Sequence, residues 1–566
     1  MKRALILVVW VFVCTTYAAA QRLPKLAVPE NYQLTFTPDF SNDNFTGDET
    51  ITLKVHKPTS EIVLNSYQIT FTDATVTNSG QSQKASVKVD KGRQMATLAL
   101  PAQVQPGPAT IHIKYSGILN NELRGFYLSK ANGRKYAVTQ FESTDARRAF
   151  PSFDEPEYKA TFDITIVADK GDTAISNGKI ISDTPGPGEG KHTIRFSTSP
   201  KMSSYLVAVA VGDFEYIEGS ADGIPIRIWA TPGKQQLGTF ALATAEQCLR
   251  YFNRYFSIKY PFEKLDIIAF PDFAAGAMEN TAAITYREVY LLIDANHSSV
   301  SARKQVAEIL AHEIAHMWFG DLVTMQWWDD IWLNEGFATW ASSKPIDAWK
   351  PEWDIRTDDL LETSNSLSDD SLKSTRPIRQ AAESPGEIQE LFDGIAYGKA
   401  AAVLRMVEGY IGEEDFRKGV NAYLEKYSYG NATATDFWNT LTATSGKPVD
   451  KIMSSFVEQP GVPMVSVKTQ CSQKSGSLTL EQKRYFYDRA TFNRGSGEVW
   501  IVPVCMKTEA ASKDRANCEL LTSRQQTIAL PACSSWVLAN AGASGYYRSD
   551  YATDDLRGLG EQVESQ

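Results

Sequence analysis

The feature that most constrains this chain is the segment His312-Glu313-Ile314-Ala315-His316, which lies in a stretch of helical periodicity. The periodicity predicts a helix from Ser301 to Phe319, with Ser301 as its N-cap. On such a helix both histidines lie on one face, one turn apart. The alternative is a surface helix with incidental polar residues, but the surroundings are rich in Trp and Ile. We therefore expect both imidazoles to point at one metal ion, with Glu313 beside it.

Two histidines leave a zinc shell incomplete, because catalytic zinc has three protein ligands and an open position for water. Glu335 follows His316 after 18 intervening residues, on a second predicted helix, and is the candidate third ligand. The pattern predicts one Zn²⁺ per chain, bound by His312, His316 and Glu335. Asp329 and Asp330 are both candidates for a carboxylate that orients a zinc-bound histidine.

The 566 residues exceed what one hydrophobic core supports, so we expect a multidomain α+β protein. Residues 21–213 alternate apolar and polar positions between turns, which predicts an N-terminal antiparallel β-domain. Residues 214–458 change to mainly helical periodicity, typical of a catalytic domain. Residues 459–551 begin with a Pro/Gly hinge and alternate again, as in a small β-sandwich. Residues 552–566 are polar and are predicted to be a flexible tail.

The first 20 residues have the layout of a secretory signal peptide. Lys2 and Arg3 give a basic start, Ala4–Val13 is apolar, and small residues precede Gln21. The alternative is an uncleaved membrane anchor, but the apolar run is short for a bilayer span. We therefore expect an exported protein, periplasmic or extracellular, with no stable membrane span.

The net charge and the cysteines further narrow the possible class of protein. The formal net charge of −10 argues against nucleic acid as a partner, since nucleic acid attracts basic patches. Cys471, Cys505, Cys518 and Cys533 suggest two disulfides in an exported protein, with connectivity left open. A zinc site made of all four cysteines would need short CxxC pairs, which the sequence lacks. Cys248 stands alone and is predicted to be a small buried hydrophobe.

Several motifs together resemble the zinc aminopeptidases related to aminopeptidase N. Beside the His-Glu-x-x-His motif, 18 residues and Glu335, the chain has the family's Gly-Ala-Met-Glu-Asn motif at Gly276–Asn280. Thr139–Phe162 is similar to the family's N-terminal signature, and Ile395–Ala400 to its Tyr-x-Lys-Gly segment. The resemblance covers nearly all of the chain after the signal peptide. It implies a thermolysin-like α/β catalytic domain between a β-domain and a β-sandwich, and peptide substrates with a free N-terminus.

The resemblance also implies a role for each matching residue. Glu313 would act as general base and then as acid to the leaving amine. Tyr397 would donate a hydrogen bond to the tetrahedral oxyanion. Glu279 would bind the free α-ammonium, which restricts cleavage to chain termini. The other residues expected to contact substrate are Gly276, Ala277, Met278, Asn280, Gln140 and Glu142.

Two smaller features of the sequence bear on the size of the substrate pocket. The small Ala275 suits a roomy pocket and a broad preference for neutral first residues. Many family members continue into a helical domain, whereas this sequence ends soon after Tyr551, so we expect a more open chamber.

One rival is another hydrolase on the same frame, an endopeptidase or an epoxide hydrolase; Glu279 argues against an endopeptidase. The second rival is a non-enzymatic binding protein, against which the intact motifs argue. The oligomeric state stays open.

Overall fold

The computed structural model describes residues 22–471, 476–509, 517–530 and 532–561. The predicted signal peptide at residues 1–20 lies outside these ranges. In the described part of the chain, no helix combines the length and the apolar character needed to cross a membrane.

The N-terminal part is β-rich, as predicted. Its strands are β1 (Ala27–Asp39), β2 (Asn44–Val55), β3 (Thr59–Asn65), β4 (Thr70–Asn78), β5 (Gln81–Lys84), β6 (Ser86–Asp90), β7 (Met95–Val104), β8 (Gly107–Ile118), β9 (Gly125–Ala131), β10 (Arg134–Gln140), β11 (Thr161–Asp169), β12 (Thr173–Ser176), β13 (Ile180–Pro185), β14 (Lys191–Phe196) and β15 (Val209–Gly212). Alternation sets their faces: Tyr32, Leu34 and Phe36 of β1 are buried and their neighbours are more exposed.

The largest N-terminal sheet corrects one detail of the prediction. Its strand order is β13-β14-β11-β1-β2-β8-β4-β5. All its pairs are antiparallel except β1 with β11, which are parallel, with Asn31 opposite Thr161. A parallel pair needs a long crossover connection, and the chain between these two strands supplies one.

The middle part begins with a mixed sheet and continues with helices. The strands of this sheet are β16 (Glu215–Ala221), β17 (Ile224–Ala230), β18 (Leu265–Phe270), β19 (Ala277–Met278) and β20 (Ala283–Arg287). The order β16-β17-β18-β20-β19 leaves β19 at an edge.

The helices of the middle part are α1 (Thr239–Tyr255), α2 (Val300–His316), α3 (Trp332–Trp349), α4 (Ile355–Asp369), α5 (Pro385–Gln389), α6 (Ala400–Ile411), α7 (Glu413–Tyr427), α8 (Ala434–Ser445) and α9 (Val449–Val457). A π-helical turn, Ile395–Lys399, leads into α6. Two short strands, β21 (Val323–Met325) and β22 (Gly430–Ala432), pair in parallel.

Helices α2 and α3 carry the predicted metal ligands. The N-cap of α2 is Ser299, whose Oγ accepts from the Ala302 N–H at 3.1 Å, and not Ser301 as predicted. The helix ends at His316 and not at Phe319. Helix α3 is buried over most of its length, and a Cβ on Gly336 would lie 2.5 Å from the Ala400 Cβ. That glycine therefore allows α3 to pack closely on the start of α6.

The C-terminal part consists mainly of strands, as predicted. They are β23 (Val462–Cys471), β24 (Gly476–Tyr485), β25 (Val502–Thr508), β26 (Asn517–Leu521), β27 (Gln525–Leu530), β28 (Val537–Leu538) and β29 (Arg548–Tyr551). They form sheets of order β27-β24-β23-β29 and β26-β25-β28. Two helices, α10 (Arg489–Arg494) and α11 (Thr553–Gly560), accompany them.

Part of the predicted flexible tail is helical, since α11 occupies residues 553–560. Asp554 and Asp555 lie in its first turn, where carboxylates favour the positive end of the helix dipole. A Cβ on Gly558 would lie 2.5 Å from the Ser535 carbonyl oxygen, so the helix packs closely on the strand region. Residues 562–566 lie outside the described ranges.

The cysteines of the C-terminal part form two disulfides, Cys471–Cys533 and Cys505–Cys518. The second joins directly opposite residues of β25 and β26. This settles the connectivity that the sequence left open and rules out a site of four cysteines. Cys248 of α1 is free and buried, as predicted.

Candidate metal centre

Helices α2 and α3 bring the three predicted ligands together. The Nε2 atoms of His312 and His316 are 3.0 Å apart, and Glu335 Oε2 lies 3.2 Å from the first and 3.4 Å from the second. Two ring nitrogens and a carboxylate oxygen thus converge on one point from two helices. This is the arrangement that the helical spacing predicted for a metal ion.

The other ring nitrogen of each histidine is held in place. His316 Nδ1 donates to the Phe319 carbonyl oxygen at 2.9 Å, which leaves Nε2 as the nitrogen that faces the metal group. His312 Nδ1 lies 3.4 Å from Thr339 Oγ1. Sequence reasoning missed Thr339, although it stands one turn after Glu335 on α3 and so faces the same way.

Neither candidate aspartate orients a histidine, so that prediction is wrong. Asp330 accepts from the Ala434 N–H at 3.0 Å, and Asp329 pairs with Arg379 at 3.1 Å. Both carboxylates follow α2 closely in sequence, but the turn before α3 points them toward other parts of the fold.

The donor set fits zinc. Burial lowers the pKa of His312, so its imidazole is neutral and can act as a ligand. Burial works against ionisation of Glu335, but the adjacent His316 and His312 outweigh it and lower the pKa of Glu335 to about 2. Two imidazoles and one ionised carboxylate make the three-ligand set of catalytic zinc sites.

Three further carboxylates crowd this metal group. Glu142, Glu279 and Glu313 each have a buried oxygen without a hydrogen-bond partner in the described structure. Glu279 Oε1 lies 3.9 Å from His316 Nδ1. Burial raises the pKa of Glu279 to about 7, and that of Glu142 and Glu313 well above the usual range. Carboxylates in this state are stabilised by added positive charge.

The metal group opens into a cleft with a volume of about 660 Å³. The predicted site residues that line it are His312, Glu313, His316, Glu335, Tyr397, Gly276, Ala277, Met278, Glu279, Gln140 and Glu142. Asn280 is the exception, because it is fully buried and its Nδ2 donates to Thr285 Oγ1 at 3.1 Å. Asn280 therefore stabilises the Gly276–Asn280 segment and does not reach the cleft.

Tyr397 enters the cleft from the π-helical turn. Its ring stacks on His312, with centroids 6.0 Å apart and planes inclined by 15°. A Cβ on Gly398 would lie 2.3 Å from Ser366 Oγ, so the turn packs tightly on α4. Burial and the Glu335 charge raise the pKa of Tyr397 well above its usual value, which keeps the hydroxyl protonated as a donor.

The far end of the cleft holds acidic residues that sequence reasoning missed. Glu308 of α2 stands there together with Asp358, Asp359 and Glu362 of α4. Among the described residues that line the cleft, none is a lysine or an arginine. Glu308 could have been found from its position one turn before His312; nothing in the sequence places α4 opposite it.

Two histidines one turn apart on a helix, with a glutamate from the next helix, form the metal centre typical of metallopeptidases with the His-Glu-x-x-His motif. Comparison with known families agrees. Residues 28–206 match the Peptidase M1 N-terminal domain, and residues 240–456 match the Peptidase family M1 domain. The chain belongs to peptidase family M1, which is zinc-dependent.

Curated relatives match over most of this chain. It is 40% identical over 570 residues to "Aminopeptidase M1" of Arabidopsis thaliana, covering 96% of this chain and 64% of the relative. It is 38% identical to "Puromycin-sensitive aminopeptidase" of Caenorhabditis elegans, over 95% of this chain and 58% of the relative. It is also 38% identical to "Aminopeptidase 2, mitochondrial" of Saccharomyces cerevisiae, over 96% of this chain and 57% of the relative. The chain thus spans less than two thirds of the length of these relatives.

Proposed function

We propose that this protein is an exported zinc aminopeptidase that removes N-terminal residues, mainly neutral ones with broad preference, from peptides. The observation that carries the proposal is a set of buried carboxylate oxygens beside the metal group, which have no partner within the described ranges; they belong to Glu142, Glu279 and Glu313. The nitrogen of an internal peptide bond carries no charge that could pair with them. A free α-ammonium does, so a site of this kind favours substrates with an unblocked N-terminus.

The residues of the chain divide the chemistry between them. Bound by His312, His316 and Glu335, zinc would supply Lewis-acid polarisation of the scissile carbonyl and a lowered pKa for water. Glu313 accepts a proton from the attacking water and passes it to the leaving amine. Tyr397 donates its hydroxyl hydrogen to the developing oxyanion.

The substrate is oriented by the opposite wall of the cleft. Glu279 holds the α-ammonium, with Gln140 and Glu142 beside it. Because β19 is an edge strand, the Gly276-Ala277 backbone can pair with an extended peptide as an added strand. The scissile peptide bond then lies at the metal centre, and the first residue of the peptide lies on the Glu279 side.

The domain organisation and destination belong to the same proposal. The sequence supports a signal peptide at 1–20 and domains at 21–213, 214–458 and 459–551. We infer a thermolysin-like middle domain and a sandwich packing of the two C-terminal sheets. Export to a periplasm or to the outside is supported by the layout of residues 1–20. Fusing these residues to a reporter and fractionating the cells tests it; a reporter retained inside would refute export.

The activity is tested with the chain from Gln21 onward and with zinc bound. Hydrolysis of alanyl- and leucyl-arylamides is compared with that of their N-acetylated forms, with and without a chelator. We expect chelator-sensitive cleavage of the free-amine substrates alone. Equal cleavage of acetylated substrates would favour an endopeptidase, and no cleavage of either would favour an epoxide hydrolase or a binding protein.

A matched pair of variants tests the amine anchor. Glu279→Gln should lower kcat/KM for alanyl-arylamide by about 100-fold, since a charge-assisted pair is lost. Glu49→Gln is the control, because Glu49 of β2 is also fully buried with both carboxylate oxygens unpartnered among the described residues, but does not line the cleft. Similar losses in both variants would show that Glu279 acts only on the fold.

A further inference from the structure

The end of the cleft away from Glu279 is lined by four carboxylates, Glu308, Asp358, Asp359 and Glu362, here called the acidic wall. Two of the four have ion-pair partners: Lys304 pairs with Asp358 and Arg405 with Asp359, each at 2.6 Å. Among the described residues, Glu308 and Glu362 have no ion-pair partner. The wall therefore presents an excess of negative charge to the cleft.

Helix α2 fixes where the acidic wall lies relative to the metal group. Glu279 approaches His316 at the C-terminal end of α2, within 3.9 Å. Glu308 stands one turn before His312, on the other side of the metal ligands. An α-helix rises 1.5 Å per residue, so Glu308 and His316 are about 12 Å apart along the axis. With the substrate's ammonium at Glu279 and its scissile bond at the metal, the residues after that bond must run toward the wall.

The acidic wall is part of a built cleft and not a solvated surface. It lines the same cavity of about 660 Å³ as Glu279 and Glu313, which are 2% and 6% exposed. Each of these two has a buried oxygen without a hydrogen-bond partner among the described residues. Glu308 and Glu362 are themselves half-buried. Glu362 lies beside the turn that carries Tyr397, since its Cγ would be 3.7 Å from a Cβ on Gly398.

The surroundings suit a long basic side chain better than a metal ion. Ile309 and Phe392 also line the cleft and offer apolar contact for an aliphatic stem. The ion pairs to Lys304 and Arg405 already occupy two of the carboxylates that a divalent ion would need. The two unpaired glutamates remain for a single ammonium or guanidinium group.

We propose that the acidic wall selects peptides with lysine or arginine at the second or third position. This inference rests on the proposed aminopeptidase activity and concerns the residues after the cleaved bond. The basic side chain pairs with Glu308 and Glu362 while the first residue occupies the Glu279 side. Partial burial preserves the attraction, because less water lies between the charges.

The test uses the zinc-loaded protein and the peptides Ala-Lys-Ala, Ala-Ala-Lys-Ala, Ala-Met-Ala and Ala-Glu-Ala at low salt. We expect kcat/KM for the better lysine peptide to exceed that for Ala-Met-Ala by about tenfold, and Ala-Glu-Ala to be poorest. The lysine preference should shrink as salt is raised, since screening weakens charge pairs. Equal values for lysine and methionine peptides would overturn the proposal.

Two double variants assign the preference to the wall. Glu308→Gln with Glu362→Gln should bring the lysine-to-methionine ratio of kcat/KM close to one. Glu383→Gln with Glu390→Gln makes the same charge change at exposed positions outside the cleft and should keep the ratio. A ratio unchanged in the wall variant would overturn the proposal. Hydrolysis of no peptide at all would overturn the aminopeptidase activity, and this inference with it.

Discussion

The hydroxyl of Tyr546 offers a test of whether the C-terminal part positions Tyr397. Lys399 ends the π-helical turn that carries Tyr397, and its Nζ pairs with Asp370 at 2.9 Å; both side chains are completely buried. Asp370 also accepts from the Gly461 N–H at 2.9 Å and from the Tyr546 hydroxyl at 3.2 Å. The turn is thus tied through one carboxylate to two points of the C-terminal part.

The magnitude follows from what each substitution removes. Breaking the buried pair itself would cost about 3–5 kcal/mol and endanger folding. Tyr546→Phe removes only one hydrogen bond to a charged group, worth about 1.5–3 kcal/mol. Tyr547→Phe is the control, because the neighbouring buried hydroxyl donates to the Ala539 carbonyl oxygen at 2.8 Å. That neutral bond is worth about 0.5–1.5 kcal/mol.

The assay measures kcat, KM and the melting temperature of both variants on alanyl-arylamide. We expect Tyr546→Phe to lower kcat by about tenfold with KM little changed. On the proposed function, a small displacement of Tyr397 weakens a hydrogen bond made in the transition state. Tyr547→Phe should lower only the melting temperature. If both variants lower the melting temperature and neither lowers kcat, the link to Tyr397 is refuted.

Three further predictions concern metal, disulfide and pH. A chelator should abolish activity and lower the melting temperature, since zinc at 1,000 times its Kd stabilises by about 4.1 kcal/mol; an unchanged melting temperature would contradict the site. Cys471→Ala/Cys533→Ala opens a loop spanning 62 positions and should destabilise by about 4 kcal/mol, measured by denaturant unfolding; Cys248→Ala, the control, should cost less. The lysine-to-methionine ratio of kcat/KM should rise between pH 6 and 8. Burial and the negative charges of Asp358, Asp359 and Glu362 raise the pKa of Glu308 to about 7, against the smaller lowering effect of Lys304. Glu308 is therefore neutral below that pH and charged above it. A flat ratio would contradict this.

The metal group could be predicted because two of its three ligands are local and Glu335 follows them on the next helix. A spacing of four on one helix fixes two imidazoles on one face whatever the rest of the fold does. Strand alternation works in the same way, which is why the buried faces of β1, β2 and β8 were predictable. Helix ends were less certain, since Ser299 and Ser301 carry the same capping chemistry and packing chooses between them.

The parts that escaped prediction depend on contacts between distant segments. Asp370 and Lys399 meet only after the C-terminal part has packed on the π-helical turn. The acidic wall needs α4 to lie opposite α2, and the charges of Asp358 and Glu362 look like an ordinary solvated helix face in the sequence. Asn280 was predicted to contact substrate from the motif alone, but its side chain turns inward to Thr285. Its neighbour Glu279 does reach the cleft.

On the proposed function, the distribution of charge lets one acidic cleft contact two parts of a peptide. Zinc would place two positive charges between the Glu279 side and the acidic wall, and would neutralise the carboxylates nearest to it. The excess negative charge then remains at the two ends of the cleft, on the Glu279 side and at the acidic wall. A peptide with an ammonium at its start and a basic side chain soon after its first bond matches both ends at once. Its binding would stretch the backbone across the metal, so charge at the ends of the cleft contributes to alignment at the centre.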